Sequence, residues 1–311
     1  MNNQVKVLDL LNQKQSKQVQ LESLVYGAVE IREKDNRRYI YTHIKEDGLQ
    51  STKYIGEYSD ELYNLIVNNN LIAKDLKKDI RRIERELKDL NYVDDELSKE
   101  VSDSIDFAKK HLADTIYKQA ILEGVATTLS DTENIIEGGK VNNMSSEDIL
   151  KIVDLKHAWE FVLNKNVILS KTDFSILCMI NKLVEEGFYY NAGMLRNTPV
   201  HIGGTNWEPD LPIESDIKED INNIVKSSND DIDISIKLLL YVVKKQMFID
   251  GNKRTSVIFA NHYLISKGKG LIVIPVEKID EYKKLLVEYY ESNNDNAIFD
   301  FIKTRCYLSI K

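Results

Sequence analysis

The sequence is poor in cysteine and proline, and it has no long apolar run. Of its 311 residues, 2 are Cys and 4 are Pro. Two cysteines in apolar helical surroundings cannot form a disulfide framework or a metal site, which fits a reducing compartment. The polar amino terminus has no apolar signal core, and no uncharged apolar stretch could span a bilayer. These absences predict a cytoplasmic protein without a membrane anchor, although export without an apolar signal stays open.

An excess of positive charge is also missing. The formal net charge is −8, whereas a protein that coats nucleic acid is expected to be basic. Local basic patches stay open. At this length the chain can bury a sizeable core and hold two or three modules.

Changes in composition and hydrophobic periodicity along the chain predict four segments. A polar leader has room for a short helix, three β-branched and aromatic runs separated by turn residues predict an antiparallel meander, and helical periodicity dominates afterwards. The predicted segments are a polar leader at 1–20, a three-stranded β-meander at 21–57, a helical hairpin or arm at 58–118, and a mainly helical domain at 119–311.

The predicted meander combines basic and aromatic side chains. Arg37, Arg38, Lys45 and Lys53 accompany several tyrosines, and such a face can bind nucleic acid. A sheet with one wet face has the same composition, and that is the interpretation we favour.

The predicted arm carries an apolar seam. Its apolar residues are three or four positions apart, which indicates one helix face that needs a facing helix. The segment at 97–112 could fold back to cover it, or a second copy of the chain could do so in a homodimer. The seam comprises Ile72, Leu76, Ile80, Ile83, Leu87 and Leu90.

The stretch 246–256 lies between two strongly apolar helical runs and contains the residues best suited to bind a ligand. Asp250-Gly251-Asn252 is typical of a turn, and Lys253 and Arg254 would open the next helix. A helix start attracts anions, and two cations beside it suit a polyphosphate. Asp250 could supply a hard oxygen ligand to a metal on those phosphates. A helical corner with a solvated basic start would have the same pattern.

The same stretch resembles the signature of the Fic/Doc (Fido) superfamily. That signature reads His-x-Phe-x-[Asp/Glu]-Gly-Asn-Gly-Arg-x-x-Arg, and five of its positions match here in register. Upstream, the segment 193–209 resembles the family's hairpin flap, which pairs with a target segment. The resemblance implies a mainly α Fic-fold core with a short β-hairpin flap. The matching signature residues are Phe248, Asp250, Gly251, Asn252 and Arg254, and the implied target-binding residues are Ile202, Gly203, Gly204, Thr205 and Trp207.

The resemblance also implies a reaction. Family members transfer AMP from ATP, or in the Doc branch the γ-phosphoryl group, to a Ser, Thr or Tyr hydroxyl of a target protein. The implied ligands are therefore ATP, Mg²⁺ held by Asp250, and a target protein whose identity the sequence does not give. The implied catalytic positions are Gln246, Asp250, Asn252 and Arg254, and the implied nucleotide-binding residues are Phe248, Gly251, Asn252, Lys253 and Arg254.

Three departures from the signature bear on activity. Gln246 stands at the position of the catalytic His, Lys253 replaces the second Gly as in the Doc branch, and Val257 replaces the second Arg. An amide side chain has no accessible basic pKa, and loss of a general base typically costs roughly 10²–10⁴ in rate. A slow transferase and a catalytically inactive nucleotide-binding regulatory or interaction module therefore both stay open. Among other histidines, His262 is expected in the core and His201 at the flap.

Many Fic proteins also carry an inhibitory helix with [Ser/Thr]-x-x-x-Glu-[Gly/Asn], whose Glu pairs with the second Arg. The segment at 123–139 resembles it in two registers. Glu133-Asn134 matches the ending, whereas Thr127 with Asp131 matches the start and shortens the acid. Because Val257 removes the usual partner, an ordinary capped loop is an equally good interpretation.

Overall fold

The computed structural model describes residues 3–46, 49–93 and 96–310. These residues form thirteen α-helices and a small three-stranded antiparallel sheet, which confirms the predicted mainly α fold. Contacts divide the chain into two compact units, one at 9–93 and one at 96–310 together with residues 3–8. The domain boundaries expected at 20, 57 and 118 stay predictions. In the described ranges, no helix is both long and apolar enough to cross a membrane.

The first unit contains the predicted meander. Its strands pair antiparallel in the order β1-β2-β3, with Ile31 opposite Ile40 and Thr42 opposite Lys53. Ile40 and Thr42 are buried on the inner face. The helices and strands of this region are α1 (Asn3–Ser23), β1 (Ala28–Lys34), β2 (Arg37–Glu46), β3 (Leu49–Glu57) and α2 (Asp60–Asp89).

The leader is more ordered than expected. Instead of a short helix with frayed ends, α1 runs without interruption from Asn3 to Ser23. Within the first unit it faces α2, because Lys14 contacts Glu84 at 3.0 Å and Lys17 contacts Asp79 at 2.6 Å. Of the apolar seam of α2, Leu76, Ile83 and Leu87 are buried, whereas Ile72 is exposed.

The second unit is helical. Its helices are α3 (Lys99–Lys110), α4 (Leu112–Leu122), α5 (Leu129–Ile136), α6 (Ser146–Val162), α7 (Lys165–Ile168), α8 (Phe174–Val184), α9 (Glu214–Val225), α10 (Asp231–Lys245), α11 (Asn252–Ser266), α12 (Ile279–Ser292) and α13 (Asn296–Phe301). Two short strands, β4 (Leu271–Ile272) and β5 (Tyr307–Leu308), pair antiparallel.

Helix α11 is the centre of this unit. Every residue from Arg254 to Ile265 is buried, as expected for a helix that is apolar nearly all round. Its Val257, Ala260 and Leu264 pack with apolar residues of α10 and α12 in one core cluster. Because the helix is covered on all sides, the position of its first turn is fixed.

The expected flap differs from the prediction in its backbone. The segment 198–213, all of it described, has a turn at Gly203-Gly204 but no strand, so it is not a hydrogen-bonded hairpin. Three prolines in and around this segment, Pro199, Pro209 and Pro212, remove backbone donors that a strand ladder would need.

Candidate functional site

The turn between α10 and α11 is held in one conformation by its own residues. Gln246 ends α10 in the left-handed region, with φ 47° and ψ 57°. Asn252 then closes the loop, because its Nδ2 donates to the Phe248 carbonyl at 2.8 Å and its Oδ1 accepts from the Phe248 amide at 3.0 Å. Phe248 is buried. Both ends of the Asn252 side chain therefore serve to shape the loop.

Gly251 is required in this turn for two reasons. Its φ is +73°, a conformation that L side chains rarely adopt. A Cβ at this position would also lie 2.4 Å from Oε1 of Glu185 and 3.1 Å from Nδ2 of Asn181. The loop therefore lies directly against two side chains of the α8 end, and only glycine fits there.

The loop and the first turn of α11 form one wall of a pocket of about 410 Å³. Gly251 is the N-cap and offers no capping side chain to the helix start, and such a start attracts anions. The pocket brings together five of the predicted catalytic and nucleotide-binding residues with two of the predicted target-binding residues. It is lined by Glu123, Val200, His201, Ile202, Gly203, Gln246, Ile249, Asp250, Gly251, Asn252, Lys253, Lys283, Leu286, Val287 and Tyr290.

Lys253 is a cation of this pocket. Its side chain is 40% exposed, and its Nζ lies 3.5 Å from a carboxylate oxygen of Glu123, which is 14% exposed. The other oxygen of Glu123 is buried without a hydrogen-bond partner among the described residues. An acidic side chain therefore lies in the pocket beside the cation that would attract a phosphate.

Glu123 is an acid of the pocket that neither of the two inhibitory registers expected from the sequence included. Asp131 and Glu133 lie on α5 and do not line the pocket, and Asp131 instead accepts from the Thr128 hydroxyl at the start of that helix. Glu123 follows α4 and precedes Gly124, so it matches the Glu-Gly ending of the inhibitory signature. The sequence contains Glu123-Gly124, but Gln119 stands where that signature has Ser or Thr.

Arg254 also differs from its expected place. Its guanidinium is 3% exposed, donates from Nη2 to Oε1 of Glu185 at 2.6 Å, and does not line the pocket. A second donor, Nη1, points to the Val184 carbonyl at 3.4 Å. In this structure the guanidinium forms an internal ion pair below the loop. Among the described residues Glu185 is the acid nearest to this guanidinium, and Asp250 is the next, at 3.8 Å.

The buried carboxyls around Arg254 are hard to ionise. Burial raises the pKa of Glu185 to about 7, against the lowering effect of Arg254, and Asp250, Asp154 and Glu123 raise it further. Burial likewise raises the pKa of Asp154 to about 6. The second oxygen of Glu185 has no hydrogen-bond partner in the described part of the chain. Burial is therefore the main reason that the ionised forms of these two carboxyls are disfavoured.

Gln246 lies at the pocket wall in the expected place. Its Nε2 donates to the Val243 carbonyl at 2.7 Å and lies 3.5 Å from the Tyr290 hydroxyl. Burial raises the pKa of Tyr290 far above its usual range, so this phenol is no substitute for the missing base. Neither side chain can accept a proton from a substrate hydroxyl near neutral pH.

Asp250 has the properties of a single-carboxylate ligand. Its side chain is 57% exposed and faces the pocket, while its Oδ1 accepts from the Gly251 amide at 2.6 Å. The other carboxylate oxygen forms no bond to a described residue. No group of three or more His, Cys, Asp or Glu side chains gathers in the described residues. This donor set fits Mg²⁺ that arrives with phosphates, because such sites use one or two carboxylates.

Arg196, at the start of the flap, was not predicted as a site residue. Its buried side chain donates to the Gln246 carbonyl at 2.6 Å and to the carbonyls of Thr198, Pro209 and Asp210. Asn181 acts similarly, since its Nδ2 donates to the Asp250 carbonyl at 3.0 Å. A single Arg or Asn in a sequence does not indicate that its side chain will donate hydrogen bonds to distant backbone carbonyls.

The flap residues have two different positions. Ile202 and Gly203 line the pocket, whereas Gly204, Thr205 and Trp207 do not. Trp207 stacks on Tyr290 with ring centroids 5.4 Å apart and planes 2° from parallel, and Thr205 donates to Glu291 at 3.2 Å. These two residues attach the flap to α12, and the target-binding role of the flap stays a prediction.

Of the two histidines singled out from the sequence, His262 lies in the core and His201 lines the pocket. His262 is fully buried, with Nδ1 2.8 Å from the Thr172 hydroxyl and Nε2 3.0 Å from the Val167 carbonyl. Burial lowers its pKa to about 4, so it is a neutral core residue, as expected. His201 lines the pocket mouth, is 82% exposed, and contacts Glu208 at 3.3 Å.

Comparisons with known proteins agree on the fold. Residues 171–264 match the family model described as Fic/DOC family. The chain is similar to Fic-1 (residues 134–508) from C. elegans, at 19% identity and a TM-score of 0.54 over 79% of this chain and 73% of that one. It is also similar to a Fic domain containing signaling protein from Bacteroides thetaiotaomicron, at 20% identity and a TM-score of 0.52 over 65% and 83%. A search of curated protein sequences gave no match.

Proposed function

Residues 171–264 form a Fic/DOC domain, and from this premise we propose that the chain binds ATP with Mg²⁺ and transfers AMP slowly to a hydroxyl of a target protein. The observation that carries the proposal is the pocket at the start of α11, where Gly251, Asn252 and Lys253 meet Gln246 and Asp250. Activity of the AMP-transfer type is what the domain supports. The nucleotide and the acceptor belong to the proposal, and the pocket supports a phosphate-bearing ligand through Lys253 and the start of α11.

The residues have separate tasks in this proposal. The uncapped start of α11 and Lys253 bind phosphate oxygens, because both are positive and both face the pocket. Asp250 would hold Mg²⁺, which would neutralise phosphate charge when bound. Arg254 acts indirectly, since its ion pair with Glu185 supports the underside of the loop.

In AMP transfer a hydroxyl oxygen bonds to the α-phosphorus, the bond from that phosphorus to the bridging oxygen breaks, and pyrophosphate leaves. The hydroxyl proton must go to a base. Gln246 can orient the hydroxyl but cannot take the proton, so the proton goes to water. We expect the rate to be lower by roughly 10²–10⁴ for this reason.

Glu123 suggests a second restraint on the reaction. It lies in the pocket beside Lys253, where a nucleotide phosphate would meet its negative charge. Val257, at the position of the family's second Arg, is buried in the core. Lys253 therefore offers the acid a partner that the sequence had not indicated, and a bound nucleotide must displace this pair.

A second candidate function is a nucleotide-binding regulatory module without catalysis. The specific observation in its favour is the combination of Gln246, which cannot act as a base, with Glu123 inside the pocket. In this case nucleotide occupancy alone would move the flap or α4, and no group would be transferred.

The test uses ATP labelled separately at the α- and γ-phosphorus, with the purified protein and a cell lysate as acceptors. AMP transfer gives protein-bound α-label only, and Doc-like phosphoryl transfer gives γ-label only. Gln246→His should raise α-label transfer by about 10²-fold. Histidine suits the positive φ at this position better than most residues do.

The matched control is Lys245→His, which adds an imidazole one residue away and outside the pocket. It should leave labelling unchanged. Saturable ATP binding with no label in the wild type and in Gln246→His would favour the regulatory candidate. Absence of ATP binding in both would refute both candidates.

A further inference from the structure

A second and larger cavity lies wholly within the first unit. It is a groove of about 780 Å³ whose three walls are the end of α1 with the connection to β1, the inner face of β2 and β3, and one side of α2. This volume suits a sizeable ligand. The groove is lined by Gln18, Leu21, Glu22, Leu24, Val25, Tyr26, Thr42, Ile44, Lys45, Lys53, Ile55, Lys77, Ile80, Arg81 and Glu84.

The walls of the groove are fixed by hydrogen bonds from α2. Asn69 donates to the Val25 carbonyl at 3.0 Å. Asn70 accepts from the Gly27 amide at 2.7 Å and donates to the Gly27 carbonyl at 3.0 Å. Gly27 has φ +130°, and a Cβ there would lie 2.7 Å from the His43 carbonyl oxygen. The connection from α1 to β1 is thus held against α2, and the groove is formed before any ligand arrives.

The charge of the groove is opposite to that of the whole protein. Its lining includes four cationic side chains and two acidic ones, although the chain has a net charge of −8. One of the two acids, Glu84, is paired with Lys14 at 3.0 Å. Lys53 and Arg81 are exposed and contact no acidic side chain among the described residues. The groove therefore attracts an anionic ligand.

The floor of the groove is aliphatic. Six of its lining residues are Leu, Ile or Val, contributed by all three walls. Its one aromatic residue, Tyr26, has the Nζ of Lys77 4.8 Å from its ring centroid. Single-stranded nucleic acid binds through open aromatic faces on which bases stack, and this groove lacks them. An apolar floor with a cationic rim instead suits a ligand that is apolar on one side and acidic on the other.

We propose that the groove between α1, α2 and the sheet binds an acidic amphipathic helix of a partner protein. The groove is lined by strand faces and not by a free strand edge, so recognition occurs through side chains. This is the helix-in-groove mode, in which apolar residues at i, i+3, i+4 and i+7 enter the groove and polar residues face its rim. Lys53 and Arg81 contact the acidic side of the bound helix. The inference does not depend on the chemistry of the second unit.

The experiment is a selection from a displayed library of random peptides of about 16 residues, roughly four helical turns. The full-length protein is the bait. The groove variant Lys53→Glu with Arg81→Glu is the counter-bait. A second bait, Lys74→Glu with Lys78→Glu, changes the charge of α2 equally at exposed positions outside the groove. All three proteins are checked for equal thermal unfolding.

We expect the wild type and the Lys74/Lys78 variant to select acidic peptides with apolar residues at helical spacing. The consensus peptide should bind the groove variant at least about tenfold more weakly in fluorescence anisotropy, and a composition-matched scrambled peptide should bind weakly to all three. The proposal would be overturned if the selected peptides lacked this pattern or were not enriched over the counter-bait. It would also be overturned if the consensus peptide bound the groove variant as tightly as the wild type. Oligothymidine that binds the wild type and is lost in the groove variant would overturn it in favour of nucleic acid.

Discussion

The ion pair below the loop between α10 and α11 gives the sharpest stability prediction. Arg254 and Glu185 are 3% and 2% exposed, and their charged atoms are 2.6 Å apart. Arg254→Met keeps most of the side-chain volume and removes the charge. Removal of one partner from a buried pair leaves an uncompensated charge and typically costs about 3–5 kcal/mol. For a unit of this size that corresponds to a fall in Tm of about 6–20 °C.

The cost of Arg254→Met should depend on pH with a defined sign. Burial raises the pKa of Glu185 from its usual 4.5 to about 7. The protonated carboxyl therefore stabilises the folded state fully below pH 4.5, and this stabilisation is lost as the pH rises through about 7. Without Arg254 the pKa of Glu185 rises further. At pH 5 the carboxyl is neutral in both proteins and the difference is small. At pH 8.5 the variant must bury an unpaired carboxylate or keep a proton, so the difference is largest.

Urea unfolding followed by circular dichroism measures the free energy of unfolding of the wild type and of Arg254→Met at pH 5 and at pH 8.5. Arg305→Met is the matched control, because Arg305 is exposed and its substitution should change the free energy of unfolding by no more than about 0.5 kcal/mol. The double variant Arg254→Met with Glu185→Met should recover part of the loss. A loss below about 1 kcal/mol at pH 8.5, or a larger loss at pH 5 than at pH 8.5, would refute the buried pair.

Two further predictions concern the loop and the acid in the pocket. Gly251→Ala should destabilise the protein by more than Gly138→Ala does. Both glycines have a positive φ, which costs an alanine about 1–2 kcal/mol. Only at Gly251 would the new Cβ also meet another side chain, at 2.4 Å. Equal losses of Tm would contradict the contact. Glu123→Gln should tighten ATP binding, measured by calorimetry, by about tenfold, or about 1.4 kcal/mol. The control Glu133→Gln should leave the affinity unchanged. Unchanged affinity in Glu123→Gln would show that the acid does not oppose the phosphate.

Regular patterns made much of the fold predictable. Alternation and turn residues located the three strands, and the nearly all-apolar run after Arg254 located a buried central helix. The leader was underestimated because α1 has weak amphipathic patterning, so its stability comes from packing and ion pairs that only the fold supplies. The flap was overestimated as a hairpin because prolines compete with strand pairing.

The site was predictable only where residues adjoin in sequence. The stretch 246–254 forms the turn between α10 and α11, as its turn residues indicated. Its long-range partners were not predictable, because Glu185 and Arg196 reach it from 69 and 50 residues away. Arg254 in particular was expected at the phosphates, since a sequence does not show which of two adjacent cations is buried. Of Lys253 and Arg254, the lysine faces the pocket.

The most direct test of the account is calorimetry with ATP, GTP, CTP and UTP in the presence of Mg²⁺. It is run on the wild type, on Glu123→Gln, and on Glu123→Gln combined with Lys253→Met. We predict saturable binding of ATP that is tighter in Glu123→Gln and about tenfold weaker once Lys253 is also replaced. Flat traces for all four nucleotides with Glu123→Gln, in which the opposing charge is gone, would contradict the claim that the start of α11 binds nucleotide phosphates.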